Sequence, residues 1–422
     1  MRQSRRLAAG LPPRVGLFGL LGSGNTGNDV SMESILAYLR ASHPEAVIDA
    51  MCGGPDKLRA TYGIEAIPVL WYHKHENRVS GVPASLLKIL GKCIDAVRTA
   101  AWVRRHDVVI VPGAGALEAT LPVRPFGFPY SMFLLCASGR LFGTKVALVS
   151  VGANQINQRL TRSFLNAAAK LAYYRSYRDT LSLEAMRQRG IDTSADRVYP
   201  DLAYAAPGVP SDRGDTQTVG VGVMDYYGGN DDRREAGLIH TRYIENMKQF
   251  VRWLVDSGHS VRLFGGDSKF DVGVAEEILA YVRQHRPNLG PAVATIASVG
   301  TFADLTREMA PCGTIVATRY HNTLCALKLA KPTVALGYSQ KFLNLMGNMG
   351  LADFCEPADD LDVDRLIKLF TELERQSDEL RQTMVERNTA IALLVEEQFR
   401  RMSELLFAAR DAAAEPARTA SV

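Results

Sequence analysis

The sequence predicts two doubly wound α/β domains, each built on a parallel sheet, facing each other across a cleft. Three observations carry this expectation. Short apolar runs alternate with glycine or polar loops and with helix-length segments along most of the chain. The runs are nearly continuous in Val, Ile, Leu and Ala, which suits strands covered on both faces by helices. One composition break, "AAPGVPSDRGDTQT" at 205–218, divides them into two sets, and 422 residues exceed one ordinary core.

In chain order, strands are expected over 15–20, 46–50, 67–71, 108–111 and 145–151. After the break they are expected over 219–223, 260–264, 292–296, 314–317 and 333–336. The domains are then 13–206 and 216–360, each presenting the carboxyl ends of its strands, where open α/β sheets bind ligands. Beyond Leu361 the pattern turns helical; helices over 361–412 are expected to pack back on the first domain, with a frayed tail over 413–422. The amphipathic segment 86–103 reads as a core-facing helix, with contact to a membrane surface as its alternative.

Composition narrows the function classes. Hydrophobic content of 47% and charged content of 22% are those of a soluble globular protein. A net charge of +4, with short Arg clusters at 2–6 and 104–106 that lack interleaved aromatics, argues against nucleic acid. The six cysteines form no CxxC pair, which favours reduced thiols in a cytosolic protein over disulfides or zinc. Cys93, Cys136 and Cys325 are expected to be buried within helices. No apolar run approaches the roughly 18 residues of a transmembrane span. The basic start is too broken for a signal-peptide core. His73 and His75 have ligand-like spacing but no clustered third ligand, so no metal site is expected.

The stretch "GLFGLLGSGNTGNDVSMESIL" raises the first functional question. Gly22, Gly24 and Gly27 match the glycine pattern of dinucleotide-binding loops, and Asp49 falls about 20 residues on, where a ribose-binding acid belongs. A carboxylate at Asp29, however, competes with a pyrophosphate for the helix amides. Two other readings stay open. One is a tight turn whose helix, with Met32, Ile35, Leu36 and Leu39 inward, is capped by Asn28 or Asp29; the other is a polar site for hydroxyl groups.

That stretch also resembles the Gly-Asn-x-Gly-Asp-Glu opening of the polysaccharide pyruvyl transferase family, with Asn28-Asp29 where the family has Asp-Glu. Five further segments fall in the family's order: "VVIVPGAGALE", "VALVSVGANQI", "SYRDTLSLEAMRQRGI", "VYPDLAYAAP" and "TRYHNTLCALKLAKPTVALGYSQKFLNLM". Together they span roughly residues 15 to 351. The resemblance implies two Rossmann-like domains in a GT-B-like arrangement. It also implies transfer of a pyruvyl unit from phosphoenolpyruvate to two hydroxyls of one sugar, giving a cyclic ketal and phosphate. Phosphoenolpyruvate is then a co-substrate, no other cofactor is expected, and the acceptor is a saccharide, lipid-linked or free.

The resemblance makes His321 a catalytic residue and Arg319 a phosphoenolpyruvate ligand. Their place, two residues apart at the exit of strand 314–317, independently puts both at a helix start facing the cleft. Arg178 and Lys341 are further candidates for the anionic substrate, against the alternative of ordinary surface charges. On the acceptor side stand Asn25, Thr26, Asp29 and Asp201, the last equally suited to bracing the domain junction. Asp225, Tyr226, Tyr227, Asp231 and Asp232 form a polar loop that either meets sugar or lies free on the surface, and "FGGDSKFD" at 264–271 either closes a turn or contacts ligand. The competing functions are a nucleotide-sugar-dependent glycosyltransferase, disfavoured because the loop "GYSQKFLNLM" after the last strand carries Lys341 and no acid, a nicotinamide-dependent oxidoreductase, and a non-catalytic sugar-binding relative. The sequence sets no oligomeric state.

Overall fold

Thirteen parallel strands in two sheets organise the computed structural model, which describes residues 11–72, 82–119, 124–207, 214–228, 234–266 and 270–408, without the side chains of 82–89 and 216. The first domain runs β1 (Arg14–Gly19), α1 (Thr26–Ser42), β2 (Val47–Cys52), α2 (Pro55–Tyr62), β3 (Glu65–Pro68), α3 (Val82–Val103) and β4 (Val108–Pro112). It continues with α4 (Phe128–Phe142), β5 (Lys145–Val151), α5 (Arg159–Leu171), β6 (Tyr174–Tyr177), α6 (Thr180–Gln188) and β7 (Arg197–Val198). Its strand order is β3-β2-β1-β4-β5-β6-β7, with Val15 paired to Ile48 on one side and Val108 on the other.

The second domain runs β8 (Asp215–Gly222), α7 (Ala236–Asp256), β9 (Ser260–Phe264), α8 (Asp271–His285), β10 (Ala294–Ile296) and α9 (Phe302–Met309). It ends with β11 (Cys312–Ala317), α10 (Tyr320–Lys328), β12 (Thr333–Gly337), α11 (Gln340–Asn348) and β13 (Cys355–Pro357), in the order β10-β9-β8-β11-β12-β13. In each sheet the direction of winding reverses at the centre, between β1 and β4 and between β8 and β11. Such switch points open a crevice at the strands' carboxyl ends.

Burial explains why these runs are strands. β4, β5 and β11 are buried along nearly their whole length, because helices cover both faces. Three strands escaped the sequence pattern. β6 reads Tyr-Arg-Ser-Tyr, β7 has two residues, and β13 reads Cys-Glu-Pro, so none is an apolar run. β8 begins at Asp215, inside the segment expected to be linker, because its polar first half extends the ladder to Cys312.

The tail does not pack as one unit. α12 (Val363–Arg375) turns Leu366, Phe370 and Leu373 inward, and Phe370 meets Phe250 and Trp253 of α7, so this helix belongs to the second domain. α13 (Ser377–Met402) crosses to the first domain, where Gln398 Nε2 donates to Ser150 Oγ (2.8 Å) and Ser176 Oγ (3.2 Å). Lys145 holds the turn beyond it through the carbonyls of Leu405 and Leu406. At the junction, Lys328 of α10 donates to the carbonyls of Tyr204 and Ala206, and Val30, Ala203 and Ala206 join the second domain's core. Cys136 and Cys325 are buried as expected, whereas Cys93 is exposed on the outer side of α3. Among the described residues no helix is long and apolar enough to cross a membrane.

Candidate active site at the two switch points

The glycine loop between β1 and α1 is closed by its own side chains. Asn25, in extended backbone (φ −87°, ψ 112°), caps α1 by accepting from Gly27 N (3.1 Å) and Asn28 N (3.3 Å). The cap is therefore Asn25 rather than Asn28 or Asp29. Asp29 lies buried beneath the loop, where Oδ1 accepts from Gly22 N (2.7 Å) and Oδ2 from Lys57 Nζ (2.8 Å). Gly22 and Gly24 adopt φ of 70° and 87°, which accounts for two of the three glycines. Asp49 is also engaged, accepting from Trp102 Nε1 (2.7 Å) with His106 Nε2 3.0 Å away. The amides and the acid that a dinucleotide requires thus have internal partners.

The third glycine faces the other domain. A Cβ built on Gly27 would fall 2.0 Å from Cε1 of His321, so the imidazole packs directly against the start of α1. Beside it, Thr26 Oγ1 donates to the carbonyl of Gly266 (2.9 Å), tying the two switch points together. A methyl group at Gly27 must displace the ring or spread the loops. Gly27→Ala is expected to cost about 1–3 kcal/mol of stability, an ordinary overpacking penalty, checked by denaturant unfolding. It is also expected to shift the His321 ring resonances in NMR spectra.

Arg319 caps α10 from extended backbone, and His321 sits in its first turn. The Arg319 guanidinium is already gripped: Nε donates to Asp271 Oδ2 (2.9 Å) and Nη2 to Oδ1 (2.6 Å). Asp271, fully buried, also accepts from Asp225 N (3.0 Å) and Gly266 N (2.9 Å). The bidentate fork that the sequence assigned to a ligand is thus directed to an internal carboxylate, which fixes the orientation of the arginine. Gly265 and Gly266 make this possible, since Cβ atoms there would come 2.6 Å from Asp271 Cβ and 3.1 Å from Arg319 Cγ.

His321 Nε2 is buried, without a hydrogen-bond partner among the described residues. Burial lowers the imidazole pKa to about 4; Asp201 acts in the opposite direction, while Arg178 and Lys341 reinforce it. The neutral ring is therefore the resting form at pH 7. The unfolded chain takes up a proton near pH 6.5 that the folded ring refuses until about pH 4, so stability falls as pH drops through that window. NMR titration of the free protein is expected to show His321 neutral down to about pH 4; a midpoint near 6.5 would contradict the burial argument.

Arg178, directly after β6, enters the same place from the first domain. Nη2 donates to Glu118 Oε1 (2.9 Å) and Nη1 to Asp201 Oδ2 (3.2 Å), and the guanidinium carbon lies 5.1 Å from the ring centre of Tyr320. Burial alone would lower its pKa, but Glu118, Asp201 and Asp179 outweigh that and hold it above the ordinary arginine value. Asp201 also caps the turn Leu202–Ala205 through Ala203 N (3.0 Å). From the second domain, Lys341 at the start of α11 places Nζ 2.5 Å from the same Glu118 Oε1. Burial depresses the pKa of this lysine, Glu118 offsets part of the effect, and Arg178 adds to it.

Glu118 joins cations from both domains, yet the sequence reading passed over it. Its signal was an acid closing the glycine loop after β4. Gly152 leaves room for it, since a Cβ there would lie 2.1 Å from Oε1. The polar loop after β8 is more ordinary: Tyr226 is buried against Tyr243 and Tyr338, and Tyr227 stacks on His240 with centroids 4.1 Å apart. His73, His75, Asp231 and Asp232 lie outside the described residues. Among the described residues no cluster of three or more His, Cys, Asp or Glu is arranged to hold a metal ion.

Known structures share this architecture. A putative UDP-N-acetylglucosamine 2-epimerase from Listeria monocytogenes superposes with a TM-score of 0.57 at 12% identity, covering 92% of this chain and 97% of its own. UDP-GlcNAc 2-epimerase from Neisseria meningitidis, bound to UDP-GlcNAc, gives 0.54 at 10% identity, with 92% and 99% covered. MurG from Acinetobacter baumannii gives 0.51 at 13% identity, with 91% and 100% covered. At such identities the likeness is one of fold, and the fold is GT-B-like. No curated protein matches the sequence. The family model of polysaccharide pyruvyl transferase matches residues 25–340, from the Asn25 cap to the start of α11, and the chain belongs to that family.

Proposed function

We propose that this protein transfers a pyruvyl unit from phosphoenolpyruvate to two hydroxyls of one sugar, forming a cyclic ketal on a polysaccharide or glycolipid precursor. The observation that carries the proposal is the convergence of Arg178 and Lys341, from opposite domains, on one carboxylate oxygen beside a neutral histidine. Two cations already paired to a carboxylate suit a ligand that brings its own carboxylate and phosphate. Arg319, oriented by Asp271, adds a third cation at the cleft. Asn25 and Thr26 line the acceptor side opposite His321, Asp29 positions their loop, and Asp201 holds Arg178.

In the first step a sugar hydroxyl adds to the enol carbon of phosphoenolpyruvate. The hydroxyl gives its proton to neutral His321 and the imidazolium passes it on to the methylene carbon, so addition across the double bond needs no external acid. The carbon–oxygen bond to phosphate then breaks, phosphate leaving with the bonding pair. The second hydroxyl attacks the resulting cationic carbon and its proton goes to the departing phosphate. The balance is one phosphoenolpyruvate plus one diol giving one ketal plus one phosphate, with no other cofactor. Six free thiols support a reducing, cytoplasmic setting.

A nucleotide-sugar donor fits less well. The first acid after Lys341 is Asp353, exposed and remote from the strand exit, and Glu356 is committed to Arg365 Nε (2.7 Å). The test is phosphate release from phosphoenolpyruvate with and without sugar diols, beside a binding screen of nucleotide sugars. Acceptor-dependent release is expected; micromolar nucleotide-sugar affinity without any release would favour the glycosyltransferase reading.

A further inference from the structure

The side of the first sheet covered by α3, α4, α5 and α6 carries an unusual surface. From Ala119 to Arg178 the sequence contains eight lysines and arginines and no Asp or Glu. On α4, Met132, Leu135 and Cys136 are buried against the sheet. The outer face repeats at helical spacing as Tyr130, Phe133, Leu134, Ala137 and Leu141, and Arg140 is the helix's one charged residue. Phe164 of α5 contacts Phe126, Tyr130 and Phe133, with ring centroids 5.5–5.7 Å apart. Leu141 (76% exposed) and Val97 of α3 (70%) are the two most exposed large apolar side chains described.

The charges around this face have one sign. Asp95 on α3 is 1% exposed and lies within reach of Lys92 and Arg98, so it presents no negative charge to solvent. Among the described side chains of the four helices, Glu184 on α6 is the exposed carboxylate, and Arg187 lies beside it. Aromatic and aliphatic groups on an outer helix face, bordered by arginines and cleared of acids, complement an anionic lipid surface rather than an ordinary protein partner. Phe126 stands where the chain enters α4, and α4 follows β4, so the patch starts at the same sheet edge as the glycine loop and Glu118. We propose that this face of the first domain docks reversibly on an anionic membrane, bringing the cleft to a membrane-borne acceptor.

The test uses the full chain and needs no catalytic readout, so it stands apart from the transfer reaction. Co-sedimentation is measured with vesicles of phosphatidylcholine alone and with phosphatidylglycerol added. Binding is expected with the anionic vesicles, weakening as salt is raised. Phe126→Asp and Leu141→Asp are expected to weaken it by about ten-fold or more, and Arg140→Gln by about five-fold. Leu238→Asp, an exposed leucine on α7, is expected to leave it unchanged. Thermal unfolding checks the folding of each variant, and Arg140→Gln, an exposed position, keeps the test open should an aspartate variant fail to fold. Absence of binding to anionic vesicles, equal binding to neutral ones, or wild-type binding by all the face variants would overturn the proposal. So would a change in oligomeric state of those variants without lipid, which would assign the face to a second copy of the chain.

Discussion

His321→Ala is expected to lower turnover by about two to four orders of magnitude, the range lost when a positioned acid–base group is removed. Phosphoenolpyruvate affinity is expected to change by only a few fold, because the proposal assigns the anion to Arg178, Lys341 and Arg319, not to the imidazole. The structure sharpens this contrast. The ring is neutral at rest, so in the proposed reaction its removal takes away a proton carrier and not a binding charge. Among the described residues its buried Nε2 has no hydrogen-bond partner to strand, so the stability cost comes from the space vacated against Gly27. Single-turnover kinetics and equilibrium binding on the same preparation separate the two effects. Unchanged turnover with the fold intact would remove the histidine from the reaction.

Arg178→Met is expected to fail more broadly. The guanidinium is 6% exposed and faces Glu118, Asp201 and Asp179, so deleting the charge leaves carboxylates facing one another in a buried place. Breaking such a pair costs about 3–5 kcal/mol, which denaturant unfolding resolves. Phosphoenolpyruvate binding is expected to fall with it. Arg178→Lys recovers part of the stability but not the affinity, since a point charge cannot reach Glu118 and Asp201 together. Adding Glu118→Gln to Arg178→Met relieves the uncompensated charge, so the double variant is expected to be more stable than the sum of the single changes predicts. Additive losses would indicate that the two side chains do not act as a unit.

These residues also show what could be read from the sequence. Arg319 and His321 were legible because a strand exit followed by a helix start puts two chemistry-bearing residues at a cleft by local geometry alone. The alternation of apolar runs and helices revealed both sheets for the same reason. Partnership across the chain was not legible. Asp271 lies 48 residues from the arginine it orients, and Glu118 lies 60 from Arg178. Gly27 matched a phosphate-loop pattern, yet its lack of a side chain makes room for an imidazole from the other domain. Asp29 and Asp49 matched a dinucleotide pattern in spacing, but one braces the loop and the other holds Trp102 and His106. Spacing along a strand-to-helix turn reports the turn; the ligand depends on which donors the rest of the fold leaves available.

The most direct test of the central claim is to follow the carbons of phosphoenolpyruvate. The purified protein is incubated with phosphoenolpyruvate labelled isotopically at its methylene carbon and with a panel of sugar diols, and products are read by NMR. The account predicts that the label appears as a methyl group on a ketal carbon bonded to two sugar oxygens, one phosphate released per ketal, with wild type and not with His321→Ala. Label recovered as free pyruvate or as unreacted phosphoenolpyruvate across acceptors that the protein demonstrably binds would contradict it.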